Sequence, residues 1–405
     1  MNESVFEKLK HVRLADVGHI FLFLFALLPA LFYRRKRPHL WLVAETETEA
    51  RDNGYWFFRY LRNEQRQVDA VYAIRPDAAE YPTVAALGPT VNFGSFRHWV
   101  YYLAAEVNIS SQKYGKPNAA VCYLLEVVLG VLKNRRVFLQ HGVIKDDLPF
   151  LHWDKSRFWM FCCAAKPEYE FVRNTFGYPP GVVRHVGLCR FDGLYDTNAD
   201  ASLVLIVPTW RMWLERNRGA DARQAFLNSK YYREWNGLLH SEAFMALLER
   251  YDKRVVFCLH RNMQAYETLF TSGCNRIQAV RWQDADIGTL LKQAGTLITD
   301  YSSVYMDFAY MKKPLVYFQF DDEDFRKGHL PAGYFQYAED GFGPVCREVG
   351  SLIGALDAIF GDGCRMADAY RARVDRFYPL HDDKNSERTY RTIVQMLNEE
   401  KNKAL

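Results

Sequence analysis

Short apolar runs alternate with amphipathic segments along most of the chain. From residue 39 the apolar runs predict strands, in the order HLWLVAE, VDAVYAI, TVNFG, EVNISS, RRVFLQHG, FWMFCCAA and VVRHVG. Segments with helical periodicity lie between several of these runs, including ARDNGYWFFRYLRNE and the apolar stretch 121–132. This alternation predicts a largely parallel sheet that is covered by helices on both faces.

A Gly-, Asp- and Asn-rich segment at residues 187–202 interrupts the pattern and predicts an interdomain connection. A second set of apolar runs follows it, and an amphipathic helix closes the chain. Because 405 residues exceed one typical core, we expect two doubly wound α/β domains that face a cleft. The expected parts are an N-terminal segment (1–38), a first domain (39–190), a second domain (191–375) and a helical tail (376–405).

The most informative run, residues 296–320, predicts a strand, a polar turn, a short helix and a second strand. Val304, Phe308 and Met311 recur at helical spacing, and Pro314 ends the helix. Ser302 and Ser303 precede the helix, where free backbone N–H groups and the positive helix end favour an anion such as phosphate. An ordinary serine N-cap is the alternative interpretation.

The N-terminal segment is the outlier in composition, because residues 20–32 are apolar apart from Pro29. Lys8, Lys10 and Arg13 precede this run, and four consecutive cationic residues, 34–37, follow it. As a helix, thirteen residues would cover roughly 20 Å, which is short of the ~30 Å hydrocarbon core. The sequence therefore favours an interfacial membrane anchor over a tight span or a buried core helix, and a signal peptide is disfavoured.

Composition narrows the functional classes. The chain is 49% hydrophobic and 25% charged, as expected of a folded globular protein, and its formal charge of +4 includes no basic stripe that would indicate nucleic-acid binding. Eight scattered cysteines without a CxxC motif indicate reduced thiols in a reducing cytosol. The absence of a Walker loop, of GxGxxG and of GxSxG argues against an NTPase, a dehydrogenase and an ordinary α/β-hydrolase.

Several predicted strands run directly into reactive residues. His141-Gly142, Pro208-Thr209, His260-Arg261 and Asp300 each follow a strand, and ligands of open α/β sheets bind at the carboxyl ends of strands. An imidazole titrates near pH ~6.5, so His141 is a candidate general base, and Lys145 could neutralise a phosphate. His260 with Arg261 is expected to form a cationic donor pair that suits a diphosphate. A set of solvated loop residues is the alternative. The acidic run 321–324 is interpreted as structural or solvated, because adjacent carboxylates do not converge on a metal ion.

Six motifs occur in order along the chain: QHGVIKDD, GLCRFD, PTWR, TDYSSVYMDF, KKPLVYFQFDDEDFR and FYPLHDDKNSER. They resemble the motifs of the CDP-glycerol glycerophosphotransferases of teichoic-acid and capsule synthesis, and ARDNGYWFFRYLR is similar to the acceptor-side domain of that family. The resemblance covers most of residues 39–395. It implies a GT-B fold of two Rossmann-like domains. It also implies transfer of glycerol phosphate, or of ribitol phosphate in close relatives, from a CDP-alditol to an acceptor hydroxyl, with release of CMP.

The resemblance also implies roles for individual residues. His141 matches the family's proposed catalytic base, and His260 matches a second essential histidine that acts at the donor diphosphate. The remaining positions match donor-binding residues: Gly142, Val143, Ile144, Lys145, Arg190, Pro208, Thr209, Ser302, Ser303 and Asp307. The chain departs from the family pattern at Val143-Ile144-Lys145 and at Arg261, and either departure could reflect a different donor or acceptor.

The resemblance further implies the partners of the protein. They are CDP-glycerol or CDP-ribitol, a lipid-linked saccharide or polymer acceptor, and the cytoplasmic face of the bacterial membrane, to which the chain would bind peripherally. No cofactor, no metal ion and no nucleic acid are expected, and the oligomeric state is left open, a homo-oligomer included. Three alternatives also stay open at this point: a nucleotide-sugar glycosyltransferase, a membrane-bound scaffold that binds nucleotide without turnover, and a CDP-alditol hydrolase.

Overall fold

The computed structural model describes residues 14–404, except 196–197, 216–220, 273, 282–283 and 329–331. The described chain divides into two compact units. The first unit consists of the described residues of Met1–Val143, Leu148–Asp192 and Asp382–Leu405, and the second of those of Ile144–Asp147 and Gly193–His381. The boundaries expected from the sequence, at residues 38, 190 and 375, stay a prediction.

The first unit contains a parallel sheet in which seven described strands follow the order β3-β2-β1-β4-β5-β6-β7. Its core strands are buried because apolar side chains point to both covered faces. The strands are β1 (Trp41–Ala44), β2 (Ala70–Ala73), β3 (Thr90–Val91), β4 (Val107–Ser110), β5 (Arg136–Phe138), β6 (Met160–Cys163) and β7 (Val183–His185).

The second unit contains a parallel sheet in which six described strands follow the order β10-β9-β8-β11-β12-β13. The strands are β8 (Asp200–Val207), β9 (Arg254–Cys258), β10 (Ile277–Val280), β11 (Ala294–Thr299), β12 (Leu315–Phe318) and β13 (Val345–Cys346). Both sheets reverse their order beside the first strand of the unit, as doubly wound folds do. The predicted α/β class with two parallel sheets is therefore confirmed.

Helices cover these sheets and connect their strands. In chain order the described α-helices are α1 (Leu14–Lys36), α2 (Asn53–Glu64), α3 (Tyr81–Leu87), α4 (Phe96–Ala104), α5 (Ala119–Tyr123), α6 (Trp153–Ser156), α7 (Lys166–Thr175), α8 (Met212–Glu215), α9 (Ala222–Leu227), α10 (Lys230–Leu239), α11 (Glu242–Arg250), α12 (Ile287–Gln293), α13 (Val304–Tyr310), α14 (Asp322–Gly328), α15 (Tyr337–Asp340), α16 (Val349–Gly361), α17 (Asp368–Phe377) and α18 (Asn385–Ala404).

Three local features differ from what the sequence pattern indicates. The helix expected to reach residue 132 ends earlier: α5 continues as a π-helix over Leu124–Val128, and Gly130 then adopts a left-handed φ of 63°. Within the segment 187–202, which was expected to be an interdomain connection, Cys189–Gly193 form a 3₁₀ helix and β8 begins at Asp200. The two-residue strand β13 was not predicted, since it is too short for a hydrophobic pattern.

The N-terminal helix is longer than its apolar run suggested. α1 has 23 residues, or about 35 Å, and Asp16–Lys36 is apolar and long enough to cross a membrane by length and composition. One side of α1 covers the first sheet together with α4, where Ala26 and Ala30 are buried. Polar contacts fix both of its ends, from Asp16 to Asn118 (2.8 Å) and from Arg34 to the carbonyl of Ala104 (3.4 Å).

Candidate active site

In the second unit the candidate residues gather at the carboxyl ends of three neighbouring strands. β9, β8 and β11 lie side by side, and the order of the sheet reverses between β8 and β11. Ligands of doubly wound folds bind in the crevice outside this reversal. The loop after β8 carries Pro208 and Thr209, the loop after β9 carries His260, and the loop after β11 carries Ser302 and Ser303.

Asp300 joins two of these loops into one structure. Its Oδ1 atom accepts hydrogen bonds from the backbone N–H of Thr209 (2.8 Å), from the Thr209 hydroxyl (2.5 Å) and from the backbone N–H of Tyr301 (2.7 Å). Asp300 is completely buried, so the bonds are shielded from water. The turn after β8 and the turn after β11 are thus held in a fixed relation to each other.

A buried arginine also contacts the same two turns. Arg211 is completely buried, and its guanidinium contacts Asp300 (2.9 Å) and forms two parallel hydrogen bonds to Asp321 (2.8 and 2.9 Å). Burial alone would lower the pKa of Arg211, but the two carboxylates hold it above its usual value. Asp321, the first residue of the acidic run 321–324, therefore acts as a structural ion-pair partner.

His260 stands at the carboxyl end of β9 with its ring stacked on Trp210, at 6.1 Å between centroids. Its Nδ1 atom accepts a hydrogen bond from the backbone N–H of Asn262 (3.2 Å), so the neutral ring carries its proton on Nε2. Burial, followed by the charge of Arg261, lowers the pKa of His260 to about 4. Burial thus favours an uncharged His260 ring in the ligand-free protein, whereas the sequence suggested a cationic pair with Arg261.

The two serines begin the short helix α13, as the sequence predicted. Ser303 occupies the N-cap position with an exposed side chain but makes no capping hydrogen bond, so the interpretation as an ordinary serine cap is wrong. Ser302 is nearly buried, and Asp307, one turn further on, is buried too. A direct contact between the Asp307 carboxylate and a phosphate is disfavoured by this burial and by charge.

The segment after His141-Gly142 is divided between the two units. Ile144–Asp147 belongs to the second unit, where Lys145 lies beside the ring of Tyr337 (5.8 Å) and pairs with Asp146 (2.5 Å). A cavity of about 100 Å³ is lined by Lys145 and by Tyr301, the residue after Asp300. Only a glycine fits at Gly333, because a Cβ atom there would lie 2.2 Å from the Lys145 carbonyl oxygen.

In the first unit His141 follows β5 at the carboxyl end of the sheet, and its side chain is exposed. The preceding residue, Gln140, is buried with a left-handed φ of 64°. Its side-chain amide donates to Glu168 (3.1 Å) and to the carbonyl of Cys162, and its own carbonyl accepts from the Asn53 amide (2.7 Å). These bonds fix the backbone from which His141 projects.

Arg190 holds the same loop from the other side. Its Nη1 atom donates to the His141 carbonyl (3.0 Å) and to the carboxylate of Asp52 (2.7 Å), and its backbone N–H donates to the Asn53 side chain (2.9 Å). Asp52 is the N-cap residue of α2. The geometry thus makes Arg190 a support of the His141 loop, whereas the sequence had suggested a direct donor contact.

Some of the predicted donor-binding residues have buried side chains that a ligand cannot contact. Val143 and Ile144 are 4% and 5% exposed, so that only their backbone groups are available to a ligand. The supporting residues were missed as site residues, because nothing in one sequence pairs positions that lie far apart along the chain. They are Asp52, Asn53, Arg211 and Asp321. The described residues contain no group of three or more His, Cys, Asp or Glu side chains that could hold a metal ion.

Comparisons with known proteins agree with this architecture. A family model described as CDP-Glycerol:Poly(glycerophosphate) glycerophosphotransferase matches residues 27–395. The chain is 28% identical over 377 residues to the minor teichoic acid biosynthesis protein GgaB of Bacillus subtilis (strain 168), covering 89% of this chain and 40% of GgaB. It is 32% identical over 110 residues to the teichoic acid poly(glycerol phosphate) polymerase of the same strain, covering 27% of this chain and 15% of the polymerase.

The fold is similar to that of a solved structure, the wall teichoic acid polymerase TagF. The TM-score is 0.68 at 16% identity, and the match covers 99% of this chain and 100% of that chain. The two units described above therefore have the GT-B-like architecture of that polymerase. The chain spans less than half the length of the two curated relatives just described.

Proposed function

The chain belongs to the CDP-glycerol:poly(glycerophosphate) glycerophosphotransferase family, and we propose that it transfers glycerol phosphate from CDP-glycerol to an acceptor hydroxyl in the synthesis of a teichoic-acid-like or capsular polymer. The observation that carries this proposal is the joined pair of loops at the reversal of the second sheet. There Thr209 and Asp300 are bonded, and His260 and the two serines stand beside them. Such a reversal is where doubly wound folds bind nucleotides.

In the proposed reaction the loops after β8, β9 and β11 hold the donor, and His141 is the base. An oxygen of the acceptor hydroxyl attacks the phosphorus that bears glycerol and loses its proton to His141. The bond from this phosphorus to the bridging oxygen breaks, and CMP leaves with that oxygen. Ser302, Ser303 and Lys145 are the groups proposed to stabilise the charge on the diphosphate, as is usual in phosphoryl transfer.

His260 would act on the same diphosphate as a hydrogen-bond donor. In the ligand-free protein the ring is uncharged and carries its proton on Nε2, because burial lowers its pKa to about 4 and Nδ1 accepts a hydrogen bond. A phosphate oxygen placed against Nε2 would favour the charged ring and raise this pKa. His260 can therefore take up a proton as the donor binds and counter the charge of the departing CMP.

Release of CMP tests the proposal and separates it from its alternatives. Purified protein is incubated with CDP-glycerol, CDP-ribitol and nucleotide sugars, with and without acceptor, and the released nucleotide is measured. The proposal predicts that CMP forms from CDP-glycerol only when an acceptor is present. Release of CMP without acceptor would indicate a hydrolase. Preference for CDP-ribitol or a nucleotide sugar would change the assigned donor. Binding of the donor without nucleotide release would indicate a scaffold.

The proposed acceptor is lipid-linked, and the outer face of α1 supports this. Eight apolar side chains of α1 are exposed, among them Phe25 (71%), Leu28 (75%) and Phe32 (78%). Leu124, Val128, Leu129 and Val131, from the helix that contacts α1 and the loop after it, are exposed as well. The opposite side of α1 packs on α4 along its length, with Trp99 bonded to His19 (3.0 Å) and Tyr33 to Tyr101 (2.8 Å).

This packing favours a helix that lies in the membrane plane over one that spans it. A spanning α1 would leave α4 and the sheet edge in the hydrocarbon region or would have to detach from them. An in-plane helix buries its apolar face in the interface, and the cationic residues Arg34, Arg35 and Lys36 in its last turn bind anionic head groups. The proposed location is the cytoplasmic face of the membrane, with the protein bound peripherally.

Vesicle sedimentation tests the membrane face. The double variant Phe25→Ser/Phe32→Ser should bind vesicles of phosphatidylcholine and phosphatidylglycerol at least about a hundredfold more weakly, since each phenyl group contributes roughly 1.5–3 kcal/mol when buried. The control Val345→Ser changes an exposed apolar side chain of the second unit and should bind like the unchanged protein. Equal binding by all three proteins would refute the assigned face.

A further inference from the structure

A cavity of about 660 Å³ lies in the first unit, at the carboxyl ends of β3, β2, β1 and β4. Each of these neighbouring strands sends its following loop to the wall of the cavity, and α1 closes one side with His19. None of the residues assigned to the donor or to the proton transfer lines it. Its lining includes His19, Thr46, Arg75, Asn92, Tyr114 and Asn118.

The lining is suited to a ligand rich in hydroxyl groups. Thr46, Asn92 and Tyr114 offer hydroxyl and amide groups, and Tyr114 exposes 59% of its surface, so that its ring can stack on a sugar or an alditol. Trp99 donates to Nδ1 of His19, so the neutral His19 ring carries its proton on Nε2 as a further donor.

The charged groups of the cavity allow one phosphate. Arg75 is partly exposed and pairs with Asp77, an exchangeable surface contact that a phosphate could replace. Lys116 is buried with its ammonium group bonded to Glu126 (2.6 Å), so it contributes a fixed structural pair. Glu47, also in the lining, disfavours a ligand with several negative charges.

The position of the cavity indicates how such a ligand arrives. The N-terminal part of α1 contributes His19 to the lining, and Asp16, one turn earlier, accepts a hydrogen bond from the side chain of Asn118, another lining residue. The outer face of the same helix carries the exposed apolar side chains. A molecule whose tail lies in the membrane beside α1 would therefore have its polar head at this edge of the sheet.

The same edge leads to the proposed base. The cavity extends to the end of β4, and His141 follows β5, which pairs directly with β4. Neighbouring strands are about 4.8 Å apart, so the step from β1 in the middle of the cavity to β5 is about 10 Å. A head group made of one phosphate and one or two hydroxyl-bearing units is long enough to span this distance.

We infer that this cavity binds the phosphate-bearing, polyhydroxylated head of a lipid-anchored acceptor and directs its terminal hydroxyl along the sheet edge towards His141. The inference rests on the proposed function and assigns the substrate class of its second site. It requires that a lipid-anchored head group bind better than the same head group free in solution.

The test uses an amphiphile in which a dodecyl chain is joined through a phosphate to glycerol, presented in phosphatidylcholine vesicles. The variants are Asn92→Ala and Tyr114→Ala, both at exposed side chains, and the matched control is Asn174→Ala on the exposed side of α7. With CDP-glycerol as donor, each cavity variant should raise the KM for the amphiphile about fivefold, the expected effect of one lost hydrogen bond or stacking contact. The KM for CDP-glycerol should change less than twofold.

Two outcomes separate this inference from the proposed function. If the unchanged protein releases CMP and the cavity variants keep its KM for the amphiphile, the cavity is not the acceptor site, although the transferase assignment stands. If no CMP is released, binding decides: saturation-transfer NMR should show the glycerol protons in contact with the unchanged protein and with Asn174→Ala, but more weakly with the cavity variants. Equal saturation in all proteins, or equal binding of free glycerol 3-phosphate, contradicts the inference.

Discussion

Replacing Arg211 by methionine should destabilise the second unit strongly, because it leaves two buried carboxylates without their partner. Arg211 and Asp300 are completely buried, and Asp321 is nearly so. Removing one member of a buried ion pair typically costs about 3–5 kcal/mol. At about 1.4 kcal/mol per factor of ten, this corresponds to a roughly 100- to 4000-fold rise in the population of the opened state.

Hydrogen exchange measures this rise where it should occur. β8 and β11 lead into the Thr209 and Asp300 turns, and the exchange rates of their slowest amides report the opening free energy of that part of the sheet. Arg211→Met should accelerate their exchange by the factor given above. Amides of the first sheet serve as an internal reference and should exchange unchanged.

The matched control is Arg254→Met, the same substitution at an exposed ion pair of the same sheet. Arg254 contacts Asp200 at 2.8 Å, with both side chains about half exposed, and such pairs are worth about 0–1 kcal/mol. If Arg211→Met accelerates exchange in β8 and β11 no more than this control does, the buried triad does not hold the two turns together. The second substitution Asp321→Asn in the Arg211→Met background should restore part of the loss.

Three further predictions follow from the site. Burial lowers the pKa of His260 to about 4, so the unfolded chain takes up a proton at this residue before the folded chain does. The free energy of unfolding should therefore fall as the pH drops from about 6.5 to 4. His260→Gln should reduce this loss by on the order of 2 kcal/mol, measured by urea unfolding at both pH values. Arg190→Ala should lower kcat at least tenfold and leave the KM for CDP-glycerol unchanged, because Arg190 holds the His141 loop. A raised KM with unchanged kcat would instead support the direct donor contact that was expected from the sequence. Treatment with EDTA should leave CMP release unchanged, and a loss that added Mg²⁺ restores would contradict the expectation of a metal-free reaction.

The hydrophobic pattern was sufficient to predict the two sheets and the places where strands end. His141, Thr209, His260 and Asp300 were found in this way, because strand ends and polar loop residues are adjacent in sequence. The parallel strands are buried on both faces, so each gave a continuous apolar run that a single sequence can show.

Contacts between distant positions could not be predicted in the same way. Arg211 and Asp321 are 110 residues apart, and Arg190 and Asp52 are 138 apart, yet each pair forms in the fold. The length of α1 was also misjudged, because polar residues that form hydrogen bonds near its ends, Asp16 and Arg34, continue the helix beyond its apolar run. The period of apolar residues predicts which face of a helix or strand is buried. It does not predict which side chain of another element contacts that face.

Single-turnover release of CMP from CDP-glycerol in the presence of acceptor tests most directly whether His141 takes the proton of the acceptor hydroxyl. A general base contributes about 10²–10⁴-fold. His141→Ala should therefore lose that much of its rate while keeping its circular dichroism spectrum and its KM for CDP-glycerol. His240→Ala, at an exposed histidine of the second unit, should keep the full rate. A folded His141→Ala protein that releases CMP as fast as His240→Ala does would contradict the account.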